Sequence, residues 1–198
     1  SAIREGLQRL VEQGLVTSEP QLGFRVTTLS VADLDDLTTA RCEIEGLALR
    51  YSIEHGDLAW EAGVVAAWHT LERTPLGSTA ADGYEALADE WSSVHAAFHE
   101  SLIAACPNRR ILATASSLRD AAELYRHWSW RAAGVERDVV AEHQALVDAV
   151  LQRHAGRAVE LLHEHLTTTS RLLVVSNQHT AEPGEDLVPF DIPWTSGV

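Results

Sequence analysis

Apolar residues recur along most of the chain at the three- and four-residue spacing of amphipathic α-helices. After residue 30 this pattern is interrupted by glycine and proline, which end helices. The predicted helices run over 31–55, 57–73, 81–106, 108–131, 136–153 and 155–176. The hydroxyl of Ser30 is expected to cap the first of them. The pattern predicts an all-α fold, an antiparallel bundle of six or seven helices.

The first thirty residues follow a different pattern. A short amphipathic helix is predicted over about 2–13, where Gly14 stops it. Two short strands, 15–17 and 24–28, follow and are joined by a turn-rich segment of hairpin length. This front segment is therefore expected to be a helix followed by a β-hairpin wing, distinct from the helical bundle.

Three parts of the chain follow from these patterns: a front module over 1–29, a helical domain over 30–176 and a tail over 177–198. The tail holds three prolines among small polar residues, so it is expected to be disordered or to lie on the surface. Because the chain opens at Ser1 inside a helical pattern, without an initiator methionine, it is expected to be a fragment of a longer protein.

The composition narrows the class of protein. With 198 residues and 45% hydrophobic content the chain can fill a sizeable core, yet no stretch approaches the roughly 20 apolar residues of a membrane span. A cytoplasmic protein with no membrane partner is therefore expected. The charges of the front module cancel, so the rest of the chain carries the whole net charge of −14. This negative charge argues against nucleic-acid contact by the rest of the chain. Cys42 and Cys106 lack CxxC spacing and are expected to be buried thiols.

Histidine supplies the candidate chemistry. His95, His99, His143 and His165 each fall on the apolar stripe of a predicted helix. For one such histidine, the ordinary interpretation is a core imidazole bonded to a carbonyl. Four on facing helices of one small domain favour a shared metal site instead. Neutral imidazoles suit a divalent transition metal, zinc first with nickel or cobalt as alternatives, whereas magnesium and calcium prefer oxygen.

Several segments together resemble one family. The front module contains SAIREGLQRL, EQGLV and the P-x-x-G-x-x-V pattern, and the helical domain contains the R-x-x-x-E of LTTARCEIEGLALR. The histidine segments HAAFH, EHQALVDA and AVELLHEHL complete the set. Over roughly residues 1–175 the chain resembles GntR-type transcription regulators of the FadR-like branch. The resemblance implies that residues 1–29 are the back half of a winged helix-turn-helix and that an all-helical, metal-binding ligand (FCD) domain follows it.

The resemblance implies residue roles in binding operator DNA. Arg4 corresponds to an arginine that contacts DNA in the major groove, and Ser1 would lie near the groove-facing end of the same helix. Gly23, at the tip of the wing, would allow the backbone to approach the DNA. A homodimer is expected because paired winged helices read two-fold symmetric operators.

The resemblance also implies a ligand set. The family's metal site is D-x-x-x-H followed by two further histidines, and His95 stands here where the aspartate usually lies. A small organic acid effector is expected to complete the coordination, since imidazole in place of carboxylate leaves the ion more positive. Arg41 is a candidate clamp for the effector's carboxylate. An ion pair between Arg41 and Glu45, one turn on, is the alternative and stays open.

Two other classes of function are alternatives to a regulator. A metal-dependent hydrolase would need a motif such as HExxH, but Ala96 follows His95, and Glu100 and Glu142 are predicted to point off the buried face. His163, in the one ExxH element, is predicted to face outward. In a purely structural dimer module the metal would only staple the fold. The sequence therefore favours a ligand-sensing regulator that is not an enzyme.

Overall fold

The structure, a computed structural model, describes residues 2–12, 16–19, 23–26, 30–75, 84–129 and 137–178. In the front module, helix α1 (Ala2–Glu12) precedes strands β1 (Val16–Glu19) and β2 (Gly23–Val26). The strands pair antiparallel, with Val16 opposite Val26 and Glu19 opposite Gly23. The predicted order of a helix and a two-stranded wing is confirmed for these residues.

Six helices follow in the described part of the helical domain, as predicted. They are α2 (Val31–His55), α3 (Leu58–Arg73), α4 (Tyr84–Ile103), α5 (Arg109–Ser129), α6 (Val139–Leu151) and α7 (Ala155–Gln178). The last of these runs past the predicted start of the tail at 177, and residues 179–198 lie outside the described part of the chain.

Capping side chains explain where the helices begin. The Ser30 hydroxyl accepts a hydrogen bond from the backbone N–H of Asp33 at 3.0 Å, as predicted for the start of α2. Asp57, predicted as the first residue of the next helix, is instead the cap of α3. Asp138 caps α6 in the same way, by accepting from the N–H of Ala141. The short polar caps therefore set three helix starts in the bundle.

The core lies where α2 packs against α4, α5 and α7, and where α3 packs against α4 and α6. One buried cluster spans these helices and includes Leu49, Val64, Phe98, Leu146 and Leu162. Helix α6 also packs along α7, and Phe98 of α4 contacts the middle of α6. This packing places the inward faces of α4, α6 and α7 around one point.

Gly46 marks a close approach between α2 and α7. A β-carbon at this position would lie 2.8 Å from Nε2 of His163 and 3.3 Å from Cγ1 of Val159. The same His163 nitrogen lies 2.8 Å from the carbonyl oxygen of Cys42, so the ring cannot move without losing that contact. His163 was predicted to face outward, and that prediction is wrong because α7 packs this side of the helix on α2.

Gly46→Ala is expected to lower the free energy of unfolding by about 1 kcal/mol. Overpacking costs roughly 1–3 kcal/mol and outweighs the gain in helix propensity of about 0.5–1 kcal/mol. Urea denaturation measures the difference. Gly63→Ala is the matched control, since nothing lies within 4 Å of its β-carbon, and it should stabilise the chain. Equal stabilisation by both substitutions would contradict the close approach.

Candidate metal centre

Four histidine side chains converge inside the bundle. His95 and His99 come from α4, His143 from α6 and His165 from α7, and each offers a nitrogen within 4.8 Å of the others. His99, His143 and His165 are buried, while His95 is partly exposed. The structure thus brings together the four residues that the helical periodicity selected.

The local sequence explains how the rings meet. On α4 the four-residue spacing puts His95 and His99 on one face, with their Nε2 atoms 3.1 Å apart. The His143 and His165 rings approach each other to 4.6 Å between centroids. Trp91 stacks on His95 with centroids 4.5 Å apart, and Phe98 packs edge-on against His143. These aromatic neighbours restrict how the rings can rotate.

Burial keeps two of the rings neutral. It lowers the pKa of His99 well below the ordinary value, with further lowering by the neighbouring histidines and by the positive charges of Arg41 and Arg119. The pKa of His165 is lowered chiefly by burial as well, although Glu142 opposes the shift. A neutral imidazole carries the lone pair that a metal ion requires. The ionisation of these rings at neutral pH therefore suits ligation.

The cluster suits a transition metal ion by its donor atoms and by the spacing of one histidine pair. Nitrogen ligands around a tetrahedral ion lie about 3.3 Å apart when the metal–nitrogen bonds are about 2.0 Å, close to the spacing of His95 and His99. Nδ1 of His99 is buried with no hydrogen-bond partner among the described residues. His163, by contrast, contacts a backbone carbonyl, as an ordinary core histidine does. An all-nitrogen set suits zinc, nickel or cobalt.

Glu142 stands behind His165 instead of pointing away from the site. Its Oε2 lies 2.9 Å from Nδ1 of His165, and its Oε1 accepts from Nε of Arg137 at 2.7 Å. Burial raises the pKa of Glu142, but the hydrogen bonds from His165 and Arg137 outweigh it and hold the pKa at about 2. The prediction that Glu142 points off the buried face is therefore wrong, because α7 lies alongside that flank of α6.

Arg41 lies in a second charged cluster, which we call the Glu45 cluster (Arg41, Glu45 and Arg119). Nε of Arg41 donates to Oε1 of Glu45 at 2.7 Å, and Nη1 of Arg119 lies 3.6 Å from Oε2. The contact between Arg119 and Glu45 is an ion pair that is too long for a hydrogen bond. The alternative interpretation of Arg41 as the partner of Glu45 is thus seen in the structure. Two cations facing one carboxylate leave the cluster with excess positive charge.

The residues predicted to contact DNA lie apart from this centre in the sequence. Arg4 is exposed on α1, and Gly23 is exposed at the start of β2 with a φ of 98°. That φ is in the left-handed region, which glycine adopts without strain. Ser1 lies outside the described residues. Among the described helices, none is long and apolar enough to cross a membrane.

Sequence reasoning missed Arg119, Arg137 and the role of Glu142. The one available signal in the sequence is that Glu142 directly precedes a candidate ligand, although helical periodicity predicts that its side chain points away from the site. Helical periodicity reports which face of a helix a residue occupies, but not which neighbouring helix covers that face. Partners from other helices therefore required the packed structure.

Comparison with known proteins agrees with this architecture. The FCD domain family matches residues 36–168. The HTH-type transcriptional repressor GlaR of Escherichia coli K12 is 38% identical over 170 residues, which cover 84% of this chain and 76% of the repressor.

Two solved structures share the fold. A GntR-family transcriptional regulator from Pseudomonas syringae pv. tomato superposes with a TM-score of 0.63 at 23% identity, over 90% of this chain and 71% of that one. The metal-free FCD domain of TM0439 superposes with a TM-score of 0.56 at 18% identity, over 78% of this chain and all of that domain.

Proposed function

Because the chain belongs to the FCD-domain branch of the GntR family of transcription regulators, we propose that it senses a small carboxylate through a metal ion held by its four clustered histidines. The observation that carries the proposal is the convergence of His95, His99, His143 and His165 from three helices onto one buried point. The FCD domain of TM0439, which shares this fold, has been solved in a metal-free form, and this supports asking whether the histidine cluster of the present chain holds a metal ion.

The positive charge around the four clustered histidines supports an anionic effector. Four neutral imidazoles would leave a bound divalent ion with its full positive charge, which attracts a carboxylate oxygen. Arg41 and Arg119 add positive potential at His99, and both of them pair with the one carboxylate of Glu45 within the Glu45 cluster. The guanidinium of Arg41 is proposed to help hold the effector while it remains paired with Glu45.

The response is proposed to occur through DNA. Effector binding would shift a homodimer between two arrangements and so change how its paired winged helices fit an operator. In this account residues 1–29 belong to the DNA-binding module, with Ser1, Arg4 and Gly23 at the DNA, and residues 30–176 form the sensor. The protein is proposed to act in the cytoplasm and to catalyse no reaction.

The number of histidines favours a second candidate function, a structural metal ion that only holds the helices together. Four protein nitrogens complete a tetrahedral coordination sphere, and closed sites of that kind are usually structural. Under this alternative the metal would stabilise the bundle but would give a carboxylate no place to bind. The two candidates therefore differ in whether carboxylate binding depends on metal.

Calorimetric titration of the zinc-loaded and the chelator-treated chain with acetate and succinate tests the sensing function. Acetamide and succinamide are the uncharged controls. We expect carboxylate binding to the loaded protein alone, weakened about 10- to 100-fold by Arg41→Gln because a charge-assisted hydrogen bond is lost. Arg50→Gln, an exposed position on the same helix, should leave the affinity unchanged. Equal affinity with and without metal would contradict sensing through the metal.

A further inference from the structure

A network of hydrogen bonds lies directly behind His165. Arg137, just before α6, contacts both carboxylate oxygens of Glu142, donates from Nη1 to the hydroxyl of Thr169 at 2.9 Å, and lies 3.2 Å from the backbone oxygen of His165. Thr169 also donates to that oxygen at 2.8 Å. The carboxylate of Glu142 is thus held on two sides, by Arg137 and by His165.

The network decides which nitrogen of His165 carries the proton. Nδ1 lies 2.9 Å from Oε2 of Glu142 and 3.3 Å from Nη2 of Arg137. Without a proton on Nδ1, its lone pair would face a carboxylate lone pair at hydrogen-bond distance, which is repulsive. With a proton, Nδ1 donates to the carboxylate, and Arg137 has other acceptors for its own N–H groups. Nε2 then keeps its lone pair.

We infer that Glu142, fixed in place by Arg137, is a positioning residue that holds His165 in the tautomer able to ligate a metal through Nε2. The inference rests on the proposed metal site. A carboxylate behind a histidine ligand fixes the ring and makes its free nitrogen more basic, and loss of such a partner typically weakens metal binding about 10- to 100-fold. Neither residue would touch the metal.

A structural role for the same network is the competing explanation. The contacts of Arg137 also join the start of α6 to α7, so their loss could lower stability without affecting the metal. Stability alone cannot separate the two roles. The tautomer of His165 and the affinity for zinc can separate them, because a network that only joined the two helices would determine neither property.

The first test is a long-range proton–nitrogen NMR spectrum of the metal-free wild type labelled with ¹⁵N-histidine. We expect His165 to be protonated on Nδ1, and a mixture of tautomers in Glu142→Gln, whose amide can donate as well as accept. A His165 protonated on Nε2 in the wild type would overturn the inference without touching the proposed function.

The second test is zinc affinity by competition with a chelator, with helicity checked by circular dichroism. Glu142→Gln should bind zinc about 10- to 100-fold more weakly than the wild type. Glu164→Gln, which removes the same charge from an exposed position beside His165, should bind like the wild type. If Glu142→Gln loses helicity, Arg137→Gln replaces it, with a smaller weakening expected since Glu142 remains.

The outcomes separate two failures. Unchanged zinc affinity in a folded Glu142→Gln, beside a wild type that binds zinc, would overturn the positioning role and leave the metal site standing. A wild type that binds no zinc would overturn the proposed metal site and this inference together.

Discussion

Replacing Glu45 with leucine is expected to lower the free energy of unfolding by about 3–5 kcal/mol, because it leaves two largely buried guanidinium groups without their counter-charge. The Glu45 side chain is 1% exposed, and those of Arg41 and Arg119 are 15% and 13% exposed. Leucine has a similar volume, so the loss reports charge and not a cavity. Chemical denaturation monitored by circular dichroism measures the change.

Two further variants isolate the cause. Glu43→Gln, an exposed position on the same helix, should change the stability by less than about 0.5 kcal/mol. Replacing the whole cluster by apolar residues, with Glu45→Leu, Arg41→Met and Arg119→Met combined, should recover most of the loss, since no buried charge remains. A triple variant less stable than Glu45→Leu alone would contradict the explanation.

Saturation with zinc is expected to raise the melting temperature of the metal-free chain by roughly 8–16 °C. Free metal at a thousand times its dissociation constant stabilises the native state by about 4.1 kcal/mol. In a protein of this size each kcal/mol shifts the melting temperature by about 2–4 °C. Differential scanning calorimetry of chelator-treated protein, before and after zinc is added, measures the shift.

The shift must depend on the clustered histidines. The double variant His99→Ala with His143→Ala should melt at the same temperature with and without zinc. The double variant His69→Ala with His154→Ala removes two exposed histidines and should keep the full shift. A zinc-dependent shift of equal size in both double variants would show that the ion binds elsewhere.

The bundle and the histidine cluster were predictable from the sequence because each rests on local spacing. His95 and His99 are one turn apart on an apolar stripe, so their common face follows from helix geometry alone. The start of α2 was equally local, since Ser30 caps through a residue three positions away. Residues Ala104 to Cys106, predicted as helical, lie beyond the end of α4 at Ile103, where Pro107 disfavours helical backbone.

The supporting residues were not predictable, because their partners are distant in the sequence. Glu142 lies 23 positions from His165, and Arg119 reaches Glu45 from another helix. The sequence pattern places Glu142 on an exposed face of α6, and only the packing of α7 shows that this face is covered. The contacts of polar groups at the edge of a core therefore depend on tertiary packing more than the burial of the apolar core residues does.

Elemental analysis of the purified chain by plasma mass spectrometry tests the central claim most directly. It is run on protein expressed with zinc, nickel and cobalt supplied, beside the His99→Ala and His143→Ala double variant. The account predicts about one transition metal ion per wild-type chain and none in the double variant. A wild type without metal, or a double variant with the same content, would contradict a sensor built on these four histidines.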